Sequence, residues 1–130
     1  MIKQILSRRT LALATTMLVA STLARPAYGF FHAVLRSSIP AAGASVPVAP
    51  AALTLTFSEK IDLPMARVTL LARGRDTIPT GTLTSESGAT VLVPVARMLV
   101  PGSYTVKYRV AGSDGHPMGG SFTFTVAPKP

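Results

Sequence analysis

Residues 104–110 read YTVKYRV, and apolar or aromatic side chains occupy every second position of this stretch. The same alternation of apolar and polar residues occurs in residues 53–57 (LTLTF) and 122–126 (FTFTV). A period of two with β-branched and aromatic residues predicts strands that bury one face. These three stretches therefore predict a protein built mainly of half-buried β-strands.

Further short strands of the same kind are predicted at residues 33–36, 68–70 and 91–95, with a weaker one near residues 80–84. Prolines recur along the chain too often to leave room for an α-helix. About seven strands separated by Gly, Pro and Ser are typical of an immunoglobulin-like Greek-key β-sandwich, and this all-β architecture is the fold we predict. We expect residues 40–50 to be an ordered connector between the first two strands.

The amino-terminal segment differs in kind from the rest of the chain. Residues 1–9 are polar and basic, residues 10–23 are apolar and small, and no acidic residue occurs before Glu59. This layout predicts a secretory signal, whose apolar run is too short to span a bilayer as a helix. The arginine pair at residues 8–9 predicts the twin-arginine export route, with an ordinary secretory signal as the alternative. We therefore expect an exported, periplasmic protein that does not span a membrane once the signal is removed.

Small residues at Ala27 and Gly29 predict cleavage after Gly29. Removing a signal of residues 1–29 from the 130-residue chain leaves one domain, residues 30–130. Four of the 13 basic residues leave with the signal, so nine remain against five acidic residues and the formal charge is +4. This balance does not predict binding to nucleic acid, which needs a concentrated basic face. With no cysteine in the chain, the domain must be held together by its core.

Residues 113–117 (SDGHP) combine a turn signal with two side chains that bind metals. Asp-Gly followed by Pro favours a tight turn, and Asp114 and His116 lie two residues apart on it. The other histidine of the chain, His32, lies just before the first predicted strand, and His116 lies just before the last. First and last strands of such sandwiches often pair in parallel, so we predict that the two histidines meet at one end of the domain. A plain surface turn is the alternative.

His32, Asp114, His116 and the terminal amine would together form a nitrogen-rich patch with one carboxylate and no thiolate. Such donors favour Cu(II) or Ni(II), and Cu(II) has the highest affinity in the divalent series. An α-amino group and an imidazole have reference pKa values of about 8 and about 6.5, so both can lose the proton that metal binding displaces near neutral pH. We expect binding to weaken as the pH falls. Ser113 more simply caps the turn than joins Asp114 and His116 in a catalytic triad.

Four motifs occur in one order along the chain: residues 32–35 (HAVL), 53–59 (LTLTFSE), 101–106 (PGSYTV) and 113–117 (SDGHP). Together they resemble the CopC family of periplasmic copper-resistance proteins, over essentially all of the predicted mature chain. The resemblance implies a β-sandwich that binds Cu(II) and sequesters or transfers it, without enzymatic turnover. It also implies a ligand set and a partner: His32 with its terminal amine, Asp114 and His116 as ligands, and a copper transporter of the inner membrane as the partner.

Glu59 lies in the Phe-Ser-Glu motif of that family and is a candidate to orient a copper ligand. A surface charge at the end of a strand is the alternative. The chain lacks the methionine-rich Cu(I) segment found in some members of the family. Met65 and Met98 are predicted to fill gaps in the core. Met118, two residues beyond His116, is a candidate for a weak axial contact to copper.

The predicted amino terminus departs from the family pattern. In the family the histidine is the first mature residue, whereas cleavage after Gly29 leaves Phe30 and Phe31 ahead of His32. A free amine two residues before a histidine can bind Cu(II) through the amine, two deprotonated amides and the imidazole. Two modes are therefore open: trimming exposes His32 and the family site forms, or Phe30, Phe31 and His32 chelate copper alone.

Two other classes of function compete with copper binding. One is an immunoglobulin-like interaction module without metal, in which both histidines are incidental and the domain docks onto a membrane partner. The other is a copper monooxygenase, since an amino-terminal histidine paired with a second histidine is also the constellation of those enzymes. The short chain, the absence of tryptophan and the lack of an evident substrate face argue against the enzyme.

Overall fold

The computed structural model describes residues 32–130, which form two β-sheets packed face to face. The strands are β1 (Leu35–Ile39), β2 (Ser45–Val46), β3 (Ala52–Phe57), β4 (Arg67–Ala72), β5 (Asp76–Ile78), β6 (Thr84–Ser85), β7 (Thr90–Pro94), β8 (Gly102–Ala111) and β9 (Pro117–Val126). One 3-10 turn, Leu63–Met65, precedes β4, and no α-helix occurs in residues 32–130. The prediction of an all-β sandwich is confirmed.

The strands divide into a sheet of four and a sheet of five. The four-stranded sheet has the order β1-β3-β7-β6, and the five-stranded sheet has the order β2-β9-β8-β4-β5. All neighbours are antiparallel except β2 and β9, which run parallel. Strands that are consecutive in the sequence therefore often lie in different sheets.

The core lies between the sheets and consists of the apolar positions that alternate along the long strands. Leu53 and Leu55 of β3 are fully buried, and Phe124 of β9 stacks on Tyr104 of β8 with ring centroids 5.5 Å apart. Burying one such side chain contributes about 1.5–3 kcal/mol. Within the described part of the chain no buried residue is polar or charged, so the core is held together by apolar packing.

The hairpin of β8 and β9 positions the predicted metal-binding turn. Its ten residue pairs run from Gly102 opposite Val126 to Ala111 opposite Pro117. Residues 112–116 are therefore the connecting loop, and His116 lies immediately before β9 at one end of the sandwich.

The predicted parallel pairing of the first and last strands is wrong. The first strand, β1, pairs antiparallel with β3 in the four-stranded sheet, and the parallel neighbour of β9 is β2. Residues 40–50 cross from one sheet to the other and form this edge strand, in which Ser45 lies opposite Thr125. The connector is ordered as predicted, but it occupies the place expected for β1.

The strand count and two methionines also differ from the predictions. Within residues 32–130, nine strands replace the expected seven or so, because β2 and β5, with two and three residues, are too short to show a period of two. The weak strand predicted near residues 80–84 overlaps the two-residue β6 at Thr84 only. Met65 and Met98 are 56% and 88% exposed, so their assignment to the core is wrong. Both lie outside the strands, and their side chains point away from the core, although the neighbouring Leu99 is buried.

The predicted signal, residues 1–29, and the residues Phe30 and Phe31 lie outside the described residues. The boundary between signal and domain therefore stays a prediction. Across residues 32–130, no helix has the length and apolar character needed to cross a membrane.

Candidate metal site

The turn between β8 and β9 is closed by bonds among its own residues. The N–H of Gly115 donates to the carbonyl of Gly112 over 3.0 Å, and the N–H of His116 donates to Oδ1 of Asp114 over 3.1 Å. Gly115 has φ +74°, a left-handed conformation that glycine adopts without steric cost. The Asp-Gly pair thus makes the tight turn that the sequence predicts, and the side chain of Asp114, rather than that of Ser113, caps it.

The arm that carries His32 is attached to the end of β3. The hydroxyl of Ser58 accepts the N–H of Val34 over 2.9 Å and lies 3.4 Å from the carbonyl of His32. The N–H of Ser58 donates to the carbonyl of Val34 over 2.8 Å. Ala33, between these residues, is 2% exposed and belongs to the core. Backbone bonds and a buried side chain therefore hold His32 beside the turn.

The two histidines and the carboxylate meet at this end of the sandwich. Oδ2 of Asp114 lies 3.2 Å from Nδ1 of His116 and 3.8 Å from Nδ1 of His32. The two imidazole rings approach edge to face, with centroids 6.2 Å apart. The side chains of His32, Asp114 and His116 are 40%, 28% and 64% exposed, so the cluster is open to solvent. The predicted meeting of the two ends of the domain is therefore present, although a different strand pairing produces it.

The carboxyl of Asp114 is held in its ionised form. The backbone N–H of His116 lowers the pKa of this carboxyl below the ordinary aspartate value, and desolvation opposes that effect. The side-chain hydrogen bond to His116 and the charges of both histidines lower the pKa further. A carboxylate is the form that binds a metal ion, so Asp114 is available as a ligand without first losing a proton.

Glu59 lies next to Ser58, and its side chain contacts Gly112 at the start of the turn. Its Oε1 is buried without a hydrogen-bond partner in the described chain and lies against Gly112, where any Cβ would overlap it. The N–H of Asp62 donates to the carbonyl of Ala111, which ties this segment to the end of β8. Glu59 thus contacts the backbone that leads into Asp114, and its role in orienting a ligand stays a prediction.

His32, Asp114 and His116 approach one another but do not yet form a complete metal-binding geometry. Within residues 32–130, no three His, Cys, Asp or Glu side chains are already placed so that they could hold a metal ion. The donors that do converge are two imidazoles and one carboxylate, a nitrogen and oxygen set that suits Cu(II). The chemistry of the donors therefore fits copper, and a contribution from the amino terminus stays a prediction. Met118 lies on the same face of β9 as the buried Phe122, and its axial contact to copper stays a prediction.

Sequence reasoning missed two residues that position the site. Ser58 ties the arm to β3, and Gly112 provides the space that the carboxylate of Glu59 occupies. Ser58 and Glu59 both lie in the FSE motif, so the motif itself was the available signal. Gly112 gave no local signal, because the side chain that excludes a Cβ at this position belongs to Glu59, which is distant in sequence.

Comparison with known proteins agrees with this fold. A family model described as the CopC domain matches residues 35–127. The chain belongs to the CopC family. Among curated proteins similar to this chain, Protein YobA of Escherichia coli K12 is 35% identical over 121 residues, which cover 92% of this chain and 93% of YobA. Copper resistance protein C of Pseudomonas syringae pv. tomato is 36% identical over 102 residues, or 73% of this chain and 80% of that protein.

Solved CopC-family structures share the sandwich. CopC from Methylosinus trichosporium OB3b superposes with a TM-score of 0.71 at 27% identity and covers 76% of this chain and 97% of its own. PcoC from Escherichia coli, described as a methionine-rich copper resistance protein, superposes with a TM-score of 0.68 at 28% identity and covers 73% of this chain and 98% of its own. The CopC fold therefore spans the described domain.

Proposed function

We propose that this CopC-family protein is exported to the periplasm, where it binds Cu(II) and sequesters or transfers it. The ligands are His32, Asp114 and His116. The observation that carries the proposal is the position of the Asp114 carboxylate, whose Oδ2 faces Nδ1 of both histidines at 3.2 and 3.8 Å. These three residues come from opposite ends of the described chain, and the fold brings them together.

The chemistry of the cluster supports copper over other divalent ions. Two imidazoles and a carboxylate offer nitrogen and oxygen donors without a thiolate, and Cu(II) binds such sets most tightly in the divalent series. The relatives named copper resistance protein C point in the same direction. Copper is here a cargo that is bound and released, so we propose no catalytic turnover. A copper transporter of the inner membrane is the partner that such a cargo implies.

The amino terminus supplies the remaining donors in the proposed site. When processing exposes His32, its own amine becomes a further nitrogen ligand beside the imidazole. Ser58 already holds the arm at the turn, which favours a site shared with Asp114 and His116. The competing mode is chelation by Phe30, Phe31 and His32 alone, in which the turn takes no part. Mass spectrometry of the exported protein identifies the mature terminus and hence the nitrogens that are available.

The experiment that tests the site is a Cu(II) titration of the exported, processed protein against a competing chelator, repeated with His116→Ala. Even residues that only support a ligand cost about 10–100-fold in metal affinity, so we expect the loss of a direct ligand to reach about 100-fold or more. Asp114→Asn keeps the shape and the cap of the turn but removes the charge, and we expect it to weaken binding as well.

Ser113→Ala is the matched control, since it changes the same turn without removing a donor. It should retain the Cu(II) affinity of the unmodified protein. If His116→Ala also retained that affinity, the shared site would be wrong and the terminal tripeptide would be the chelator. An affinity of the unmodified protein no better than that of an unrelated histidine peptide would reject copper binding and favour a metal-free interaction module.

A further inference from the structure

The outer face of the five-stranded sheet carries three basic side chains in adjacent register positions. Arg67 of β4 lies directly opposite Arg109 of β8, and Lys107 lies two residues along β8 on the same face. All three residues are exposed. We call this set, Arg67, Lys107 and Arg109, the basic face. It emerges only from the strand pairing, because these residues do not form a basic run in the sequence.

No neighbouring acid neutralises the basic face. The ion pairs within residues 32–130 involve Asp114 and the two histidines, so no carboxylate in the described chain lies within 4.0 Å of Arg67, Lys107 or Arg109. Like charges directly opposite each other on a sheet are destabilising. Two carbonyls, those of Pro64 and Ala66, accept hydrogen bonds from Nη1 of Arg67 and hold that side chain without removing its charge. The sheet therefore places two arginines opposite each other without a nearby carboxylate of the described chain to offset their charges.

A groove runs beside these cations and provides room for a ligand. Gly119 of β9 lies opposite Arg109, so on that side no side chain covers the guanidinium. The resulting groove of about 570 Å³ is lined by Lys107, Arg109, Gly119 and Ser121, among others. An arginine guanidinium presents a planar fork that matches a carboxylate in two hydrogen bonds. The groove thus suits a carboxylate side chain that projects from an extended segment.

The position of the groove relates it to the candidate metal site. Pro117, which also lines the groove, follows His116 directly, and the strand pair Arg109–Gly119 lies two residues further along the hairpin. At about 3.3 Å per residue, a partner in the groove would lie about 7 Å along the strand from the first residue of β9. A partner docked there would thus be next to the turn that carries Asp114 and His116.

We propose that the basic face and its groove are a docking site for an acidic segment of a partner protein. The small number of cations favours a protein carboxylate over a lipid surface, because the basic face has three basic residues and anionic membranes are bound by clusters of about four to eight. The further idea that this partner exchanges copper with the protein rests on the proposed function above. The docking itself does not depend on it.

The test measures binding of a fluorescent oligo-glutamate peptide to the exported protein by anisotropy at low salt. Replacing both outward cations of β8, in Lys107→Gln/Arg109→Gln, should weaken binding about tenfold, since exposed complementary charges contribute modestly and additively. The matched control is Arg75→Gln/Arg97→Gln, which removes the same charge from exposed positions in the β4–β5 hairpin and the segment after β7. The control should change affinity less than about twofold.

Equal losses in the two double variants would overturn the proposal, since binding would then report net charge alone. Amide chemical shifts of the unmodified protein should change at Lys107, Arg109 and Gly119 when the peptide is added, and changes elsewhere would also contradict it. Vesicles of phosphatidylcholine with and without phosphatidylglycerol form the second arm. Binding to the anionic vesicles through the same residues, without binding to the peptide, would reject a protein partner in favour of a membrane.

Two cross-measurements separate this proposal from the copper proposal. His116→Ala should bind the peptide as the unmodified protein does, because it leaves the basic face intact. Lys107→Gln/Arg109→Gln should retain the Cu(II) affinity. If copper binding fails while peptide binding persists, the proposed function is wrong and the docking site stands.

Discussion

The turn of residues 112–116 and the arm of residues 32–34 are held in place by different kinds of contact. The turn is closed by bonds among its own residues, at Gly115 and at Asp114. The arm is held by Ser58, a residue of a different segment at the end of β3. The hydrogen bonds that shape the turn are thus local to the hairpin, whereas those that hold the arm come from a segment distant in sequence.

The largest expected effect comes from a substitution at Gly115, which tests whether the turn depends on its local backbone conformation. Gly115→Val would place a β-branched residue at φ +74°, which costs on the order of 1–2 kcal/mol in backbone energy. A Cβ at this position would meet nothing within 4 Å, so the Cβ itself adds no steric cost. We expect a loss of stability of about that size in urea denaturation, and weaker Cu(II) binding because the turn loses its geometry.

Gly115→Asn is the control for this substitution. Asparagine adopts the left-handed conformation more readily than valine, so its loss of stability should be distinctly smaller. If the valine variant were as stable as the unmodified protein, the turn would not depend on its local backbone conformation, and the contrast with the arm would disappear.

Removing the hydroxyl of Ser58 tests how the arm of residues 32–34 is held. Ser58→Ala deletes the acceptor of the Val34 N–H but leaves the backbone bond from the Ser58 N–H to the Val34 carbonyl. A single hydrogen bond of this kind contributes about 0.5–1.5 kcal/mol. We expect faster hydrogen exchange at the Val34 amide and no change at the Gly115 amide. The control Ser37→Ala alters an exposed serine of β1 and should leave both amides unchanged.

A uniform acceleration of both amides in Ser58→Ala would contradict the independence of the two halves. No acceleration at Val34 would show that the core contact of Ala33, rather than Ser58, holds the arm.

The smallest expected effect is on the pKa of Asp114, which tests whether a backbone bond within the turn lowers it. The backbone N–H of His116 is the main cause that lowers the pKa of the Asp114 carboxyl, and this donor survives in His116→Ala. We therefore expect carbon-13 NMR of the metal-free variant to show the Asp114 pKa still below the ordinary aspartate value. A rise into the ordinary range would instead assign the lowering to the imidazole.

The sign of the linked stability change follows from the direction of this shift. A carboxyl whose pKa is lower in the folded state stabilises the fold above its unfolded pKa. That contribution is lost as the pH falls through the folded pKa. Asp114→Asn removes the titration altogether, so its stability should depend less on pH in the acidic range than that of the unmodified protein.

Much of the fold was predictable from residues that are close in sequence. The alternation in residues 53–57, 104–110 and 122–126 predicted β3, β8 and β9, because burial on one face of a sheet imposes a period of two. The short strands β2 and β5 were not predicted, since two or three residues carry no periodic signal, and β6 was anticipated only as a weak run near residues 80–84. The exposed positions of Met65 and Met98 were missed because apolar character alone does not say whether a sheet faces the side chain.

For the candidate site too, the sequence predicted what depends on neighbouring residues and missed what depends on distant ones. Asp114 and His116 were identifiable from the SDGHP turn, and the ligand role of His32 came from a family resemblance that the comparison supports at the level of the family. The position of His32 beside them was expected for the wrong reason, a parallel pairing of the first and last strands. The actual cause is the attachment of the arm to β3 through Ser58.

By itself the sequence determined the long strands, the turn and its chemistry, because alternation, the Asp-Gly pair and donor atoms are local properties of the chain. Only the tertiary structure decided that His32 lies 3.8 Å from the carboxylate of Asp114, that Oε1 of Glu59 lies against Gly112, and that Arg67 lies opposite Arg109. The physical reason is that sheet order and register set which distant residues become neighbours, and both follow from packing the two sheets around one core.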